Sequence, residues 1–144
     1  MKYYLKVLKE YANFKGRARR SEYWFFVLFN VIFALIAMGI DNLLGTTFKM
    51  ESPSGMVNLP YGYIYLIYLL AVLIPGLAVS VRRLHDVGKS GWLYLVILIP
   101  LIGAIWLLIL FFTDSQVGEN KWGPNPKGIG NHDEIDEIGN NYTP

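Results

Sequence analysis

Residues 59–81 read LPYGYIYLIYLLAVLIPGLAVSV, a run of 23 residues without a charged side chain. An α-helix rises ~1.5 Å per residue and the hydrocarbon core of a bilayer is ~30 Å thick, so ~20 apolar residues can cross it. Two further uncharged runs flank this one, at 23–40 and 91–113, and the first reaches spanning length if it extends to Leu44. The pattern predicts an all-α integral membrane protein with three transmembrane helices, at about 23–44, 59–81 and 91–113.

The composition agrees with a membrane protein. The chain is 53% hydrophobic and 17% charged, whereas soluble domains average about 25% charged residues. It has no cysteine, which excludes a disulfide framework and a thiolate metal site. Its two histidines lie far apart in sequence, so we predict neither a metal site nor a cofactor. Because many polar residues precede the first apolar run, we expect that run to be a retained anchor and not a cleaved signal peptide.

The basic residues alternate along the chain. Residues 1–22 hold seven Lys or Arg, 41–58 hold one, 82–90 hold three and 114–144 hold two. The positive-inside rule therefore places the N-terminus and the 82–90 loop in the cytoplasm. With three spans, the C-terminal tail would be periplasmic or extracellular. If one run were re-entrant, the tail would instead lie inside.

The N-terminal segment MKYYLKVLKEYANF, residues 1–14, has an amphipathic helical pattern. Tyr4, Leu5 and Leu8 fall on one side of such a helix, and lysines fall largely on another. This pattern is typical of a helix lying in the headgroup plane of a membrane. The alternative is an ordinary amphipathic helix that packs on protein.

The segment RRLHDVGKSGW, residues 82–92, has a structural interpretation as a turn between two spans. Arg82 and Arg83 would end one helix, where cations meet the negative end of the helix dipole. Gly88 permits the turn, and Ser90 suits the N-cap of the next helix. Tryptophans near the span ends are expected to anchor the protein at the membrane interface: Trp24, Trp92 and Trp122.

The same segment also permits a chemical interpretation. His85 beside Asp86 resembles a general base with an orienting carboxylate, so a membrane enzyme is one hypothesis. Adjacent residues on a helix point about 100° apart, however, so the two side chains do not readily face each other. We expect Asp86 to pair with Arg82 or Arg83, or to cap the turn, and we predict no catalytic residues. The role of the His85, Asp86 and Ser90 motif stays open.

Six cationic side chains are expected on one membrane face. They would bind the phosphate of a lipid headgroup or another anion. Because a membrane surface explains these cations, no nucleic-acid binding is predicted. The six residues are Arg17, Arg19, Arg20, Arg82, Arg83 and Lys89.

Three motifs, FKGRARRSEYW (14–24), VRRLHDVGKSGW (81–92) and GENKWGPNP (118–126), occur together with the apolar runs between them. In this combination the chain resembles the YhaH-type family of bacterial inner-membrane proteins, a domain of unknown function. The resemblance covers a domain at about 1–128 and implies a multi-pass protein of the bacterial inner membrane. It carries no catalytic residue, ligand or partner. The remaining tail, 129–144, is acidic and Gly/Asn-rich, which predicts disorder.

The leading functional hypothesis is a non-enzymatic membrane component that binds anionic lipid or a partner protein through its basic cytoplasmic face. The alternative is a subunit of a small homo-oligomeric transporter or channel. Pro75 and Pro100 motivate that alternative, because broken helices can line a transport pathway. The absence of a charged residue in the middle of any predicted span argues against it.

Overall fold

The computed structural model describes residues 2–53 and 55–132. It contains four α-helices, one two-stranded sheet and one 3-10 helix, in the order α1 (Lys2–Lys9), α2 (Arg20–Leu44), β1 (Thr47–Ser52), β2 (Gly55–Gly62), α3 (Tyr63–Asp86), the 3-10 helix (Gly91–Leu98) and α4 (Ile102–Phe112).

Two helices, α2 and α3, are long and apolar enough to cross a membrane. Their 25 and 24 residues correspond to ~36–38 Å of helix. Large apolar side chains such as Leu35 on α2 and Leu70 on α3 are about 60% exposed, which suits lipid and not water. The predicted first span is confirmed as a continuous helix. The second helix begins four residues later than predicted and continues to Asp86.

A β-hairpin joins the two long helices at one end, hereafter the hairpin end. Strand β1 pairs antiparallel with β2, with Met50 opposite Val57. The predicted spans begin the second helix at residue 59, but residues 55–62 are extended. Pro60 lies in this strand and not in the first turn of α3.

Asp41 fixes the geometry of the hairpin end. Its carboxylate accepts hydrogen bonds from the backbone N–H groups of Gly62, Ile64 and Tyr65, at 2.9–3.1 Å. These are N–H groups that the first turn of a helix leaves without helical partners. Asp41 also accepts from the Thr46 hydroxyl, at 2.6 Å. One side chain of α2 thus caps the start of α3.

Helix α1 packs on protein along its apolar face. Tyr4 and Val7 are buried, and the Tyr4 ring lies 5.5–5.6 Å from the rings of Phe26, Phe29 and Phe33 on α2. The helix is shorter than the predicted segment 1–14, and its buried residues are Tyr4 and Val7, whereas Leu5 is 50% exposed. This packing agrees with the alternative interpretation of a helix on protein, and a position in the headgroup plane stays a prediction.

The third apolar run, 91–113, is not one helix, and the prediction of three transmembrane helices is wrong in this respect. It forms the 3-10 helix, a break at Ile99–Leu101 and then α4. Pro100 lacks an N–H, Leu101 takes a left-handed φ of 64°, and Gly103 lies so close to the Val96 carbonyl oxygen that a Cβ would overlap it. Each half is only ~16 Å long, about half a hydrocarbon core.

Both ends of this run lie at the end of the molecule formed by Arg20 of α2 and Asp86 of α3, hereafter the basic end. Gly91 lies against Val81 and His85 of α3. At the other end of the run, the Phe111 carbonyl accepts hydrogen bonds from Trp24 and Arg83, at 3.3 and 3.4 Å. The run therefore starts and ends at the basic end, because the break at Pro100 reverses its direction.

The chain after α4 stays at the basic end. Gln116 N–H donates to the Asp86 carbonyl, at 2.9 Å, and Gly118 N–H donates to the Ile129 carbonyl, at 3.0 Å. The predicted placement of the C-terminal tail on the opposite side from the N-terminus is therefore wrong for residues 114–132. The predicted disorder of 129–144 concerns mainly residues 133–144, which lie outside the described residues.

Candidate functional site

The three sequence motifs meet at the basic end. Segment 14–24 leads into α2, segment 81–92 ends α3, and segment 118–126 lies in the C-terminal tail. Arg17 of the first motif bonds to Asp86 of the second and to Gly118 and Gly123 of the third. The motifs are distant in sequence but form one polar structure.

Asp86 lies at the centre of this structure and is fully buried. Its Oδ1 accepts from Arg17 Nε, at 3.0 Å, and its Oδ2 accepts from Ser115 Oγ, at 2.6 Å, and from Arg83 Nη1. A buried carboxylate is stable only when such partners replace water. We call Arg17, Arg83, Asp86 and Ser115 the Asp86 cluster. The predicted pairing of Asp86 with Arg83 is confirmed.

The two arginines of the Asp86 cluster also bind backbone carbonyls. Arg17 donates to the carbonyls of Gln116 and Gly118, at 2.6 and 2.7 Å. Arg83 donates to Ala18, Phe111 and Thr113. These carbonyls belong to three separate segments, so the guanidinium groups hold the N-terminal segment, α4 and the tail together.

Arg82 is also buried, on a different side of α3. Its Nη1 pairs with Glu10, whereas its Nε and Nη2 have no hydrogen-bond partner among the described residues. Arg17, Arg82 and Arg83 are at most 7% exposed. The structure therefore turns three of the six predicted anion-binding residues inward, where a lipid headgroup cannot reach them without rearrangement.

The other three predicted cations lie nearer the surface. Arg19 is half-buried and donates to the Pro126 carbonyl. Arg20 pairs with Asp114, at 3.2 Å, and donates to the Phe112 carbonyl, at 3.1 Å. The Lys127 side chain also bonds Asp114 and, as the largest influence, holds the pKa of that carboxyl below its ordinary value. Lys89 is exposed.

His85 and Asp86 point in different directions. The His85 ring stacks on Trp122, with centroids 4.5 Å apart and planes 11° apart, and its Nδ1 lies 3.2 Å from the Gly16 carbonyl oxygen. Asp86 bonds to the arginines described above. The two side chains form no hydrogen bond with each other, so the pair has no geometry for a general base and its orienter. Ser90 occupies the N-cap position of the 3-10 helix without a side-chain cap bond.

The three expected interface tryptophans have different surroundings. Trp24 stacks on Phe112, with centroids 4.3 Å apart, and Trp122 stacks on His85. Trp92 is 81% exposed and therefore available to a membrane interface. The anchoring role stays a prediction for all three.

A basic pocket of about 510 Å³ lies between α1, the start of α2 and the tail. This pocket was not predicted from the sequence, in which the α1 helix was expected to lie in the headgroup plane of the membrane. The i, i+4, i+7 spacing of Lys2, Lys6 and Lys9 was the available signal, since it puts all three on one helical face. The residues that line the basic pocket are Lys2, Tyr3, Leu5, Lys6, Lys9, Arg19, Glu22 and Pro126.

Glu22 lies at the base of the basic pocket, 1% exposed. Its Oε1 accepts from Lys6 Nζ, at 2.7 Å, and its Oε2 has no partner among the described residues. Across residues 2–53 and 55–132, no group of three His, Asp or Glu side chains is arranged to hold a metal ion.

Comparison with known proteins identifies relatives along most of the chain. The inner membrane protein YhaH of Escherichia coli K12 is 43% identical over 129 residues, which cover 88% of this chain and 98% of YhaH. The inner membrane protein YhaI of the same strain is 42% identical over 127 residues, covering 88% of this chain and 97% of YhaI. No solved structure matches the chain. Residues 11–124 match the family described as a protein of unknown function, DUF805, and the chain belongs to that family.

Proposed function

We propose that the chain is a bacterial inner-membrane protein that holds the phosphate of an anionic lipid headgroup in its basic pocket, at the cytoplasmic membrane surface. The observation that carries this proposal is the convergence of Lys2, Lys6, Lys9 and Arg19 from two elements onto one cavity of about 510 Å³. A cavity of that size accommodates a headgroup.

The proposed location rests on the relatives and on charge. YhaH and YhaI are named as inner membrane proteins. Of the thirteen Lys and Arg residues, Lys49 alone lies at the hairpin end, and the other twelve lie in segments at the basic end. In the proposed topology α2 and α3 span the membrane, and the 3-10 helix and α4 form a re-entrant pair that enters and leaves on one side. Lys121 and Lys127 then lie on the basic side, so this topology follows the positive-inside rule more fully than three spans do.

The charge of the basic pocket favours an anion. Lys6 is paired with Glu22, whereas the Lys2 and Lys9 ammonium groups have no acidic partner within the described ranges 2–53 and 55–132. Arg19 uses one of its five N–H donors on the Pro126 carbonyl. Two free ammonium groups and a partly free guanidinium suit a phosphate, which accepts several charge-assisted hydrogen bonds.

The proposal is narrower than the six-residue prediction from sequence. Arg17, Arg82 and Arg83 are buried, and they contribute by holding the three motifs in place. Headgroup contact is assigned to Lys2, Lys9 and Arg19.

The test compares two triple variants in nanodiscs that contain a mixture of anionic and zwitterionic lipids. Lys2→Gln/Lys9→Gln/Arg19→Gln removes three charges from the basic pocket. Lys15→Gln/Lys49→Gln/Lys89→Gln removes three exposed charges elsewhere. Bound lipid is counted by native mass spectrometry after release from the disc. We expect the pocket variant to lose retained anionic lipid by roughly tenfold, and the control to keep it. Equal retention by both variants would contradict the proposal.

A further inference from the structure

The orientation of His85 leaves one ring nitrogen free. Nδ1 lies 3.2 Å from the Gly16 carbonyl oxygen, and a carbonyl oxygen can only accept, so Nδ1 carries the hydrogen. In the neutral ring Nε2 is then an acceptor. The stack on Trp122 holds the plane of the ring. His85 is 8% exposed, and within the described parts of the chain no group donates to Nε2.

This nitrogen borders a second cavity, which we call the aromatic pocket. It has a volume of about 530 Å³ and lies between α3, the 3-10 helix and the tail. Gly91 lets the 3-10 helix lie close to α3, since a Cβ at that position would lie 2.6 Å from Val81 Cγ1 and 3.3 Å from His85 Nε2. The main walls of the aromatic pocket are Phe14, Leu77, Trp92, Tyr94, Leu95 and Trp122.

The lining of the aromatic pocket defines a class of ligand. No charged side chain is among its lining residues, so the pocket does not select an ion. Four aromatic rings favour a flat apolar body, through offset or edge-to-face contacts. The acceptor at Nε2 borders the cavity, so it favours a ligand that can donate a hydrogen bond to it.

We propose that the aromatic pocket binds a phenolic compound, with the ring between the aromatic walls and the hydroxyl donating to His85 Nε2. This site is separate from the basic pocket. Trp92 and Leu95 are 81% and 53% exposed at its mouth, so the ligand has access from the surface on which those side chains lie.

Nitrogen NMR of the protein in nanodiscs, labelled with 15N only at histidine, tests the proposal. The chain has two histidines, so the spectrum reports His85 and, as an internal control, His132. The probes are a para-alkyl phenol and its methyl ether, which has the same body but no donor. We expect the phenol to shift the Nε2 resonance of His85 saturably, and the ether to bind roughly fivefold more weakly without the hydrogen-bond shift. Equal effects of phenol and ether, or no saturable shift, would overturn the proposal.

Two variants extend the test, with binding followed by tryptophan fluorescence. His85→Phe keeps a ring to stack on Trp122 but removes the acceptor, and should erase the preference for phenol over ether. Because that variant changes a buried residue, Trp92→Leu provides a second measurement at a highly exposed position, and should weaken both probes severalfold. His132→Phe should leave both affinities unchanged. Unchanged discrimination in His85→Phe would refute the hydrogen bond, and unchanged affinity in Trp92→Leu would refute the assigned pocket.

A phenol without the alkyl tail tests whether the ligand enters the aromatic pocket from water or from the bilayer. Saturable binding of this short phenol supports a ligand taken from water. Binding of the tailed phenol alone supports a ligand taken from the bilayer. If neither phenol binds saturably, the proposed site is refuted.

Discussion

Tyr11 donates its phenolic hydrogen to the carbonyl oxygen of Ala71, at 2.6 Å. In a regular helix the Ala71 carbonyl would accept a hydrogen bond from the N–H of residue 75. Residue 75 is proline, which has no N–H. The hydroxyl from the segment after α1 thus satisfies a carbonyl that the proline leaves open on an exposed face of α3. In lipid no water can do so.

Tyr11→Phe should therefore destabilise the protein by about 0.5–2 kcal/mol, the range for a membrane-embedded hydrogen bond. Pro75→Ala restores the helical N–H, so in that background the same substitution should cost almost nothing. Unfolding in a detergent titration gives the four stabilities of this double-mutant cycle. An equal cost of Tyr11→Phe in both backgrounds would show that the carbonyl is not the reason for the bond.

Asp86→Asn should be among the most destabilising single changes in the chain. It leaves the buried Arg17 and Arg83 without their counter-charge, which costs about 3–5 kcal/mol for a broken buried ion pair. The matched control is Asp114→Asn, because Asp114 also pairs with two cations but is 57% exposed. That change should cost no more than ~1 kcal/mol. Thermal unfolding in detergent compares the two variants, and similar losses would argue against a structural role for the Asp86 cluster.

Gly62→Ala should disrupt the hairpin end. A Cβ there would overlap the Thr46 carbonyl oxygen and lie 2.7 Å from Asp41 Oδ1, so the cap on α3 must move. We expect a loss of more than about 2 kcal/mol. Gly39→Ala is the control, because its Cβ would meet nothing within 4 Å and alanine is the better helix former. Both variants are measured by the same detergent unfolding, and a neutral Gly62→Ala would show that the close approach is not required.

Single cysteines placed in the cysteine-free chain test the topology. Lys89→Cys and Glu119→Cys should react with an impermeant maleimide from the same side, because both residues lie at the basic end. Glu51→Cys on the hairpin should react from the opposite side. Labelling of right-side-out and inverted vesicles makes the comparison. Reaction of Glu119→Cys together with Glu51→Cys would restore a third span.

Hydropathy was sufficient to predict the two long helices, because a run of about 20 apolar residues has few alternatives to a span. It failed for residues 91–113 because it measures the length of an apolar run and not its direction. Pro100 was identified in the sequence, but there it could equally kink a span. The chain reverses because Pro100 is followed by Leu101 with a left-handed φ and by the close approach of Gly103 to Val96. These two features are seen only in the folded structure.

The burial of the arginines was beyond prediction for a different reason. Charged residues are seldom fully buried unless paired, so the default is to place them at the surface. The partners that bury Arg17 are distant in sequence: Asp86 is 69 residues away, and Gly123 is 106 residues away. The sequence contains the basic residues and the motifs, but it does not show which acid pairs with which cation.

The tail contacts of Arg17 also set an order of events in biosynthesis. Arg17 leaves the ribosome early, whereas Gln116, Gly118 and Gly123, whose carbonyls it binds, are among the last described residues to be made. Both long helices are complete before these partners exist. The basic end therefore closes only after the membrane helices have been synthesised, and a nascent chain shortened before residue 116 exposes a charged interior that the finished protein conceals.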